Sequence, residues 1–215
     1  MSEVRLPTAV VEQSASMYRV MSARCRDTSL ETFHESDWLA WLEGCADDSH
    51  DLILGDLIVR ILPDEVLGPL FVELRRVLRP GGSLCLRMHI VRERQAVDPA
   101  ALLERYQSLR LFDEWVVDRL FFSLSEGFFD VDTGLVDVAA MTEALTAVAP
   151  KQALVELFAA KWGALPLSYH VRSEARLRAL AGPGLTPRIL PCQYLLPDTL
   201  HLVEWKRRAT SSESR

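Results

Sequence analysis

The feature that most constrains this chain is an alternation in its first ninety residues. Short apolar, β-branched runs give way to segments of helical period, and the pattern switches several times before Val91. TAVVE (8–12) is a strand candidate, and Ser14 or Ser16 caps a segment in which Met17, Val20 and Met21 recur at helical spacing. A weaker strand, SLETFHES, starts at Ser29 and ends near Asp37. DWLAWLEG follows as a short amphipathic helix closed by Gly44. HDLILGD is nearly all apolar, as expected of a central parallel strand covered on both faces. Val66, Leu67, Leu70, Phe71, Leu74, Val77 and Leu78 then mark an amphipathic helix that RPGG (79–82) stops, and SLCLRMHIV is the next strand. Such alternation predicts an α/β fold: a mostly parallel sheet with right-handed crossovers and helices on both faces.

The second half differs. Asp98-Pro99 is a good N-cap and first-turn pair, and helical periodicity runs from there to about Lys161. The predicted helices are 99–125, broken once, then 137–148, 151–161 and 173–181, the last ending in GPG. Two short strands, about 187–194 and 199–206, precede a frayed tail, ATSSESR. No repeat or linker divides the chain, so 1–208 is expected to form one domain with a helical insert at 99–161, leaving 209–215 as a tail.

Composition narrows the function classes. Of 215 residues 49% are apolar, enough to fill a sizeable core. A formal charge of -6 argues against non-specific binding to nucleic acid or to an anionic membrane. The four cysteines and five histidines are scattered without metal-ligand spacing, which points to reduced thiols and no metal site. With no leader pattern and no run of 18 apolar residues, a cytoplasmic protein is expected.

The string DLILGDLIVRILPDEVLGPLFVELRRVLRPGGSLCLRMHIV (51–91) resembles the class I S-adenosylmethionine-dependent methyltransferases, in which a fourth strand, a helix ending R-x-L-[RK]-P-G-G and a fifth strand follow in this order. AVVEQSASM resembles the end of that family's second strand, and HESDW the segment after its third. The resemblance is good over 8–91, holds in outline over 187–206 and hardly touches the helices between. It implies a Rossmann-like sheet that binds S-adenosylmethionine beyond the C-terminal strand ends.

Several residues fall at those ends. Glu12, with Gln13 and Met17 beside it, is placed to hold the ribose hydroxyls, or is a solvated turn glutamate. Asp37 and Trp38 suit the adenine amino group and ring, although Trp38 equally suits a core position. Gly55 and Asp56 lie where the family places substrate and the methionine end of the cofactor, the glycine allowing close backbone approach, or Asp56 is instead a helix cap. Arg60 and Arg87 face the same cleft as anchors for an anionic substrate, or are merely solvated. Trp115, Phe121, Phe122, Phe128 and Phe129 line an acceptor pocket or fill a core. No residue is marked as catalytic, because such enzymes work largely by proximity and orientation.

The family's glycine-rich first turn has no counterpart, since no glycine precedes Gly44. The chain is therefore expected to lack the first strand, because it starts downstream of the true start, because it is degenerate, or because another chain supplies the strand. The expected function is a methyltransferase-like protein acting on a small-molecule acceptor, with cofactor binding weak or lost. The alternative is a non-catalytic binding or regulatory subunit of the same fold. A homo-oligomer, or a partner chain completing the sheet, is the expected assembly.

Overall fold

The computed structural model describes residues 6–91, 94–108, 114–164, 168–190 and 200–208. Its elements run β1 (Thr8–Glu12), α1 (Ala15–Ser22), β2 (Glu31–Glu35), α2 (Trp38–Glu43), β3 (His50–Asp56), α3 (Ile58–Ile61), α4 (Asp64–Val77), β4 (Leu78–His89), α5 (Pro99–Gln107), α6 (Glu114–Ser125), α7 (Val138–Val148), α8 (Ala153–Trp162), α9 (Glu174–Ala181), β5 (Leu185–Leu190) and β6 (Leu200–Arg207). The expected strands extending over 191–194 and at 199, the break in the first long helix at 109–113, Cys192 and the tail 209–215 lie outside the described residues.

The strands form two sheets. β1 pairs with β2 in parallel, and β3-β4-β6-β5 form a second sheet. β3 and β4 are parallel, whereas β6 runs antiparallel to both β4 and β5. Apart from an isolated parallel bridge between Ile90 and Arg172, parallel pairing is confined to the alternating first ninety residues, where helices supply the crossovers.

Local chemistry fixes the element ends. Ser14, Asp37, Asp98, Asp137 and Ser173 each accept a backbone N–H in the first turn of the helix they precede. α4 buries Leu67, Leu70, Phe71, Leu74 and Val77 against the sheet, at about 1.5–3 kcal/mol per side chain, while Val66 stays exposed. The strand after it begins earlier than RPGG suggests. Leu78 already pairs with His50, the register then jumps to Leu52 with Ser83, and Arg79–Gly82 form the irregularity between. Gly81 takes φ +79°, which glycine tolerates, and a Cβ on Gly82 would lie 2.9 Å from the Arg79 carbonyl. The motif therefore ends the helix and kinks a strand already under way.

Two apolar clusters make up the core. One joins α4, α9, β4 and β6, with Trp205 tilted against Phe71. The other lies among helices α5–α8, with Tyr169 and Val171. Phe121 belongs to this second cluster, Phe122 is buried edge-on to Phe121, and Phe128 and Phe129 pack against the cluster, so all of these aromatics but the exposed Trp115 fill a core rather than an open pocket. Arg172, between the insert and α9, ties the chain to α3 and the start of α4. Its guanidinium donates to the Val59 carbonyl, to Leu62 O (2.5 Å) and to Asp64 (2.7 Å). Burial alone would raise the Asp64 pKa, but the hydrogen bonds from Arg172 and Arg176 outweigh it and hold the carboxyl low.

One expectation fails on β3. Leu52 is 44% and Leu54 71% exposed, so the strand is not covered on both faces. An apolar strand is legible from sequence, but its cover depends on what lies beside it. Among the described residues β3 has a neighbour on one edge only.

Candidate functional site

β1 and β2 end together, Glu12 opposite Glu35, and the loops that follow them are tied to each other. Glu12 Oε1 accepts the Ser14 N–H at 3.0 Å, and Oε2 has no hydrogen-bond partner among the described residues. Asp37 Oδ1 caps α2 by accepting from Leu39 (2.9 Å) and Ala40 (3.2 Å). Its Oδ2 accepts from Gln13 Nε2 at 2.9 Å. Trp38 Nε1 reaches back to the Val11 carbonyl at 3.2 Å. Four of the predicted cofactor residues, Glu12, Gln13, Asp37 and Trp38, therefore meet at one strand end. Met17, on α1, is half exposed, and its N–H is used by the Ser14 cap.

Beside them opens a cavity of about 960 Å³ between β1 and β3. Thr8 through Val11 line one wall and Leu52 through Gly55 the other, with Trp38 and Ile58 among the lining residues. A strand turns alternate residues to one face, so a wall of four consecutive residues is a strand edge. Two edges face each other across this space.

At the end of β3 the remaining candidates are engaged. Gly55 has a packing role, since a Cβ there would lie 2.7 Å from Leu86 Cδ2 and 3.1 Å from Ile58 Cδ1. Asp56 forms a two-point ion pair with Arg87, at 2.6 and 2.7 Å, across the β3–β4 ladder. Arg60 is 3% exposed, neither solvated nor open to a cleft. Its guanidinium lies 4.1 Å from the Phe122 ring centre, 4.5 Å from Phe121 and 5.4 Å from Tyr169. Burial pulls its pKa down to about 9, with Tyr169 and Asp118 opposing, so it stays charged at neutral pH. His89 lies in the same interior, its ring edge-on to Phe122. Sequence reading missed this polar interior, and a lone histidine inside the apolar run SLCLRMHIV was its single trace.

The chemistry of these groups can be weighed against S-adenosylmethionine. The β1–β2 end fits the nucleoside half: a carboxylate with a free oxygen, an indole and a carboxamide lie together. Among the described residues the methionine half finds no comparable cradle, since the space beside Gly55 is filled by Leu86. Among the described residues no group of three or more His, Cys, Asp or Glu could hold a metal ion, and no helix is long and apolar enough to cross a membrane.

In sequence, no protein-family model and no curated protein matches the chain. In structure, the PH0226 protein from Pyrococcus horikoshii OT3 is similar with a TM-score of 0.52 at 14% identity, over 94% of this chain and 72% of that one. A SAM-dependent methyltransferase from Methanosarcina mazei gives 0.49 at 14% identity, over 94% and 82%. A possible exported protein from Bordetella parapertussis gives 0.48 at 14% identity, and the chain, 94% covered, spans about half (53%) of its length. At such identity the likeness concerns the fold alone. Element order and sheet topology define an α/β fold in which helices cross over between parallel strands and a mixed sheet is completed by antiparallel strands.

Proposed function

We propose that the chain is an S-adenosylmethionine-dependent methyltransferase-like protein acting on a small molecule, and that it holds the nucleoside half of the cofactor better than the methionine half. The observation that carries this is Glu12: at the end of β1 its carboxylate is oriented by the Ser14 N–H and keeps one oxygen for a ribose hydroxyl. Gln13, Asp37 and Trp38 stand beside it as partners for the base. When bound, the cofactor supplies an electrophilic methyl group, and the protein's share is to orient an acceptor toward it. A net charge of -6 supports a small acceptor rather than nucleic acid.

A second reading, a non-catalytic binding or regulatory subunit, is favoured by the state of Asp56 and Arg60. One is held by Arg87 and the other is sealed among aromatic rings. Arg60 is closed to an acceptor, and the exposed Asp56 carboxylate would meet one only in competition with Arg87.

The test is an amide-resolved NMR titration with S-adenosylmethionine. Shifts at Glu12–Met17 and Asp37–Trp38 are expected, half-saturated near or above about 1 mM. Glu12→Gln should weaken binding about tenfold, the loss of roughly 1.4 kcal/mol from a charged hydrogen bond. Shifts confined to other elements, or an unchanged Glu12→Gln response, would overturn the proposal.

A further inference from the structure

Arg60 is an enclosed charge with no counter-charge in contact among the described residues. It sits on α3, 3% exposed, with Phe121, Phe122 and Tyr169 around its guanidinium. The rings stabilise a cation but are poor acceptors for its N–H groups. Two of the donor atoms, Nε and Nη2, are buried and have no hydrogen-bond partner among the described residues. These two form one edge of the planar fork. Elsewhere in the protein the same edge holds a carboxylate. Arg87 donates from Nε and Nη2 to the two oxygens of Asp56, at 2.6 and 2.7 Å. Arg188 turns the same pair to Glu204.

The surroundings of Arg60 do not supply what its fork needs. Asp118, whose charge it feels, is engaged by the Lys161 ammonium at 2.8 Å. His89 is 4% exposed and edge-on to the same Phe122 ring, and neither of its nitrogens is hydrogen-bonded among the described residues. Its nearest carboxylate, Glu126, stands 3.7 Å from Nε2. Two buried polar side chains with unmet groups therefore share one aromatic neighbour. A buried, unpaired charge is among the costliest arrangements an interior can hold.

We infer that the Arg60 fork, with His89 beside it, is a binding site for a small monocarboxylate of the size of formate or acetate. Two side-by-side N–H donors match the two oxygens of a carboxylate, which a spherical halide cannot do. Water would satisfy the N–H groups but leave the guanidinium charge unpaired. The size follows from closure, since both side chains are buried and a ligand enters only as local opening admits it. The inference does not rest on S-adenosylmethionine, whose nucleoside groups stand at the ends of β1 and β2. Formate binding without cofactor binding would leave this site standing and sink the cofactor reading alone.

The probe is sodium formate, titrated into the full chain in place of chloride at constant ionic strength, with NMR as the readout. Expected are saturable shifts of the Arg60, His89 and Phe122 amides, half-complete at about 1–10 mM, the range open to a three-atom ligand. The Arg60 Nε–H signal should move downfield as a charge-assisted hydrogen bond forms. At ten times the midpoint concentration, the folding equilibrium constant measured in urea should rise about tenfold. Arg60→Lys keeps the charge and loses the planar fork, so the midpoint should rise at least about tenfold. If that variant does not fold, the wild-type shifts decide by themselves. Benzoate should bind at least about tenfold more weakly than formate. No saturation, an equal response to chloride (an adventitious ion only), or an unchanged midpoint in Arg60→Lys would overturn the inference. So would tighter binding of benzoate, which would make the site an entrance for a bulky acceptor. A downfield Nε–H signal before formate is added would overturn it too, by showing that a carboxylate of the chain already fills the fork.

Discussion

His89 closes β4 in an interior that gives it little. It is 4% exposed, and neither ring nitrogen has a hydrogen-bond partner among the described residues. Nε2 stands 3.7 Å from Glu126, too far for a good hydrogen bond. Burial pushes the imidazole pKa from its usual 6.5 down to about 4, with Glu126 pulling the other way and Arg60 adding to the fall. The native state therefore refuses a proton that the unfolded chain accepts. Stability is full above about pH 6.5 and is lost as pH falls toward 4, by up to about 3 kcal/mol for 2.5 units at 1.36 kcal/mol each. Urea denaturation at pH 7, 5.5 and 4 should show this slope, and His89→Leu should flatten it. A wild-type stability that holds level from pH 7 to 4 would show that the histidine charges freely in the fold. Such a residue is hard to read from sequence, because SLCLRMHIV describes a strand and says nothing of what packs on its last position. The positions of Glu12 and Asp37 were easier to read, one closing a short apolar strand and the other capping the helix that DWLAWLEG begins. Arg60 was misread because its helix, α3, is a single short turn, and the aromatic rings that enclose it come from the distant insert.

At the scale of elements, sequence and structure agree where periodicity is strong. TAVVE and HDLILGD are strands over the residues expected, and the helices 137–148, 151–161 and 173–181 differ by a residue or two at their ends. Disagreement falls where an outcome depends on neighbours. RPGG was read as a stop, but the β3 ladder draws Leu78 into the strand before it. HDLILGD was read as fully covered, yet its exposure is set by the cavity beside it. The mostly parallel expectation met an antiparallel β6, which follows β5 and so pairs as its hairpin partner. Exchange measurements on the protein alone should order the strands accordingly. β4, bonded on both sides, should exchange at least about a hundredfold more slowly than β1 and β3, each bonded on one. Equal protection of β3 and β4 would mean that the open edge is already covered.

For the whole molecule, two apolar clusters share one fold, joined through Arg172 and the hydrogen bond from the His170 N–H to the Arg60 carbonyl. The groups proposed for the nucleoside sit at the end of the small β1–β2 sheet, while Gly55 and Asp56 belong to the other sheet, with the cavity between them. A ligand as long as S-adenosylmethionine needs both sides in register. Missing a few hydrogen bonds of about 1 kcal/mol each, and the burial of its methionine arm, lowers affinity by several kcal/mol, or tenfold for every 1.4. The most direct measurement is a calorimetric titration of the protein alone with S-adenosylmethionine. The account predicts a dissociation constant of about 1 mM or weaker. A micromolar constant would contradict it, because the two halves of the site would then already act as one.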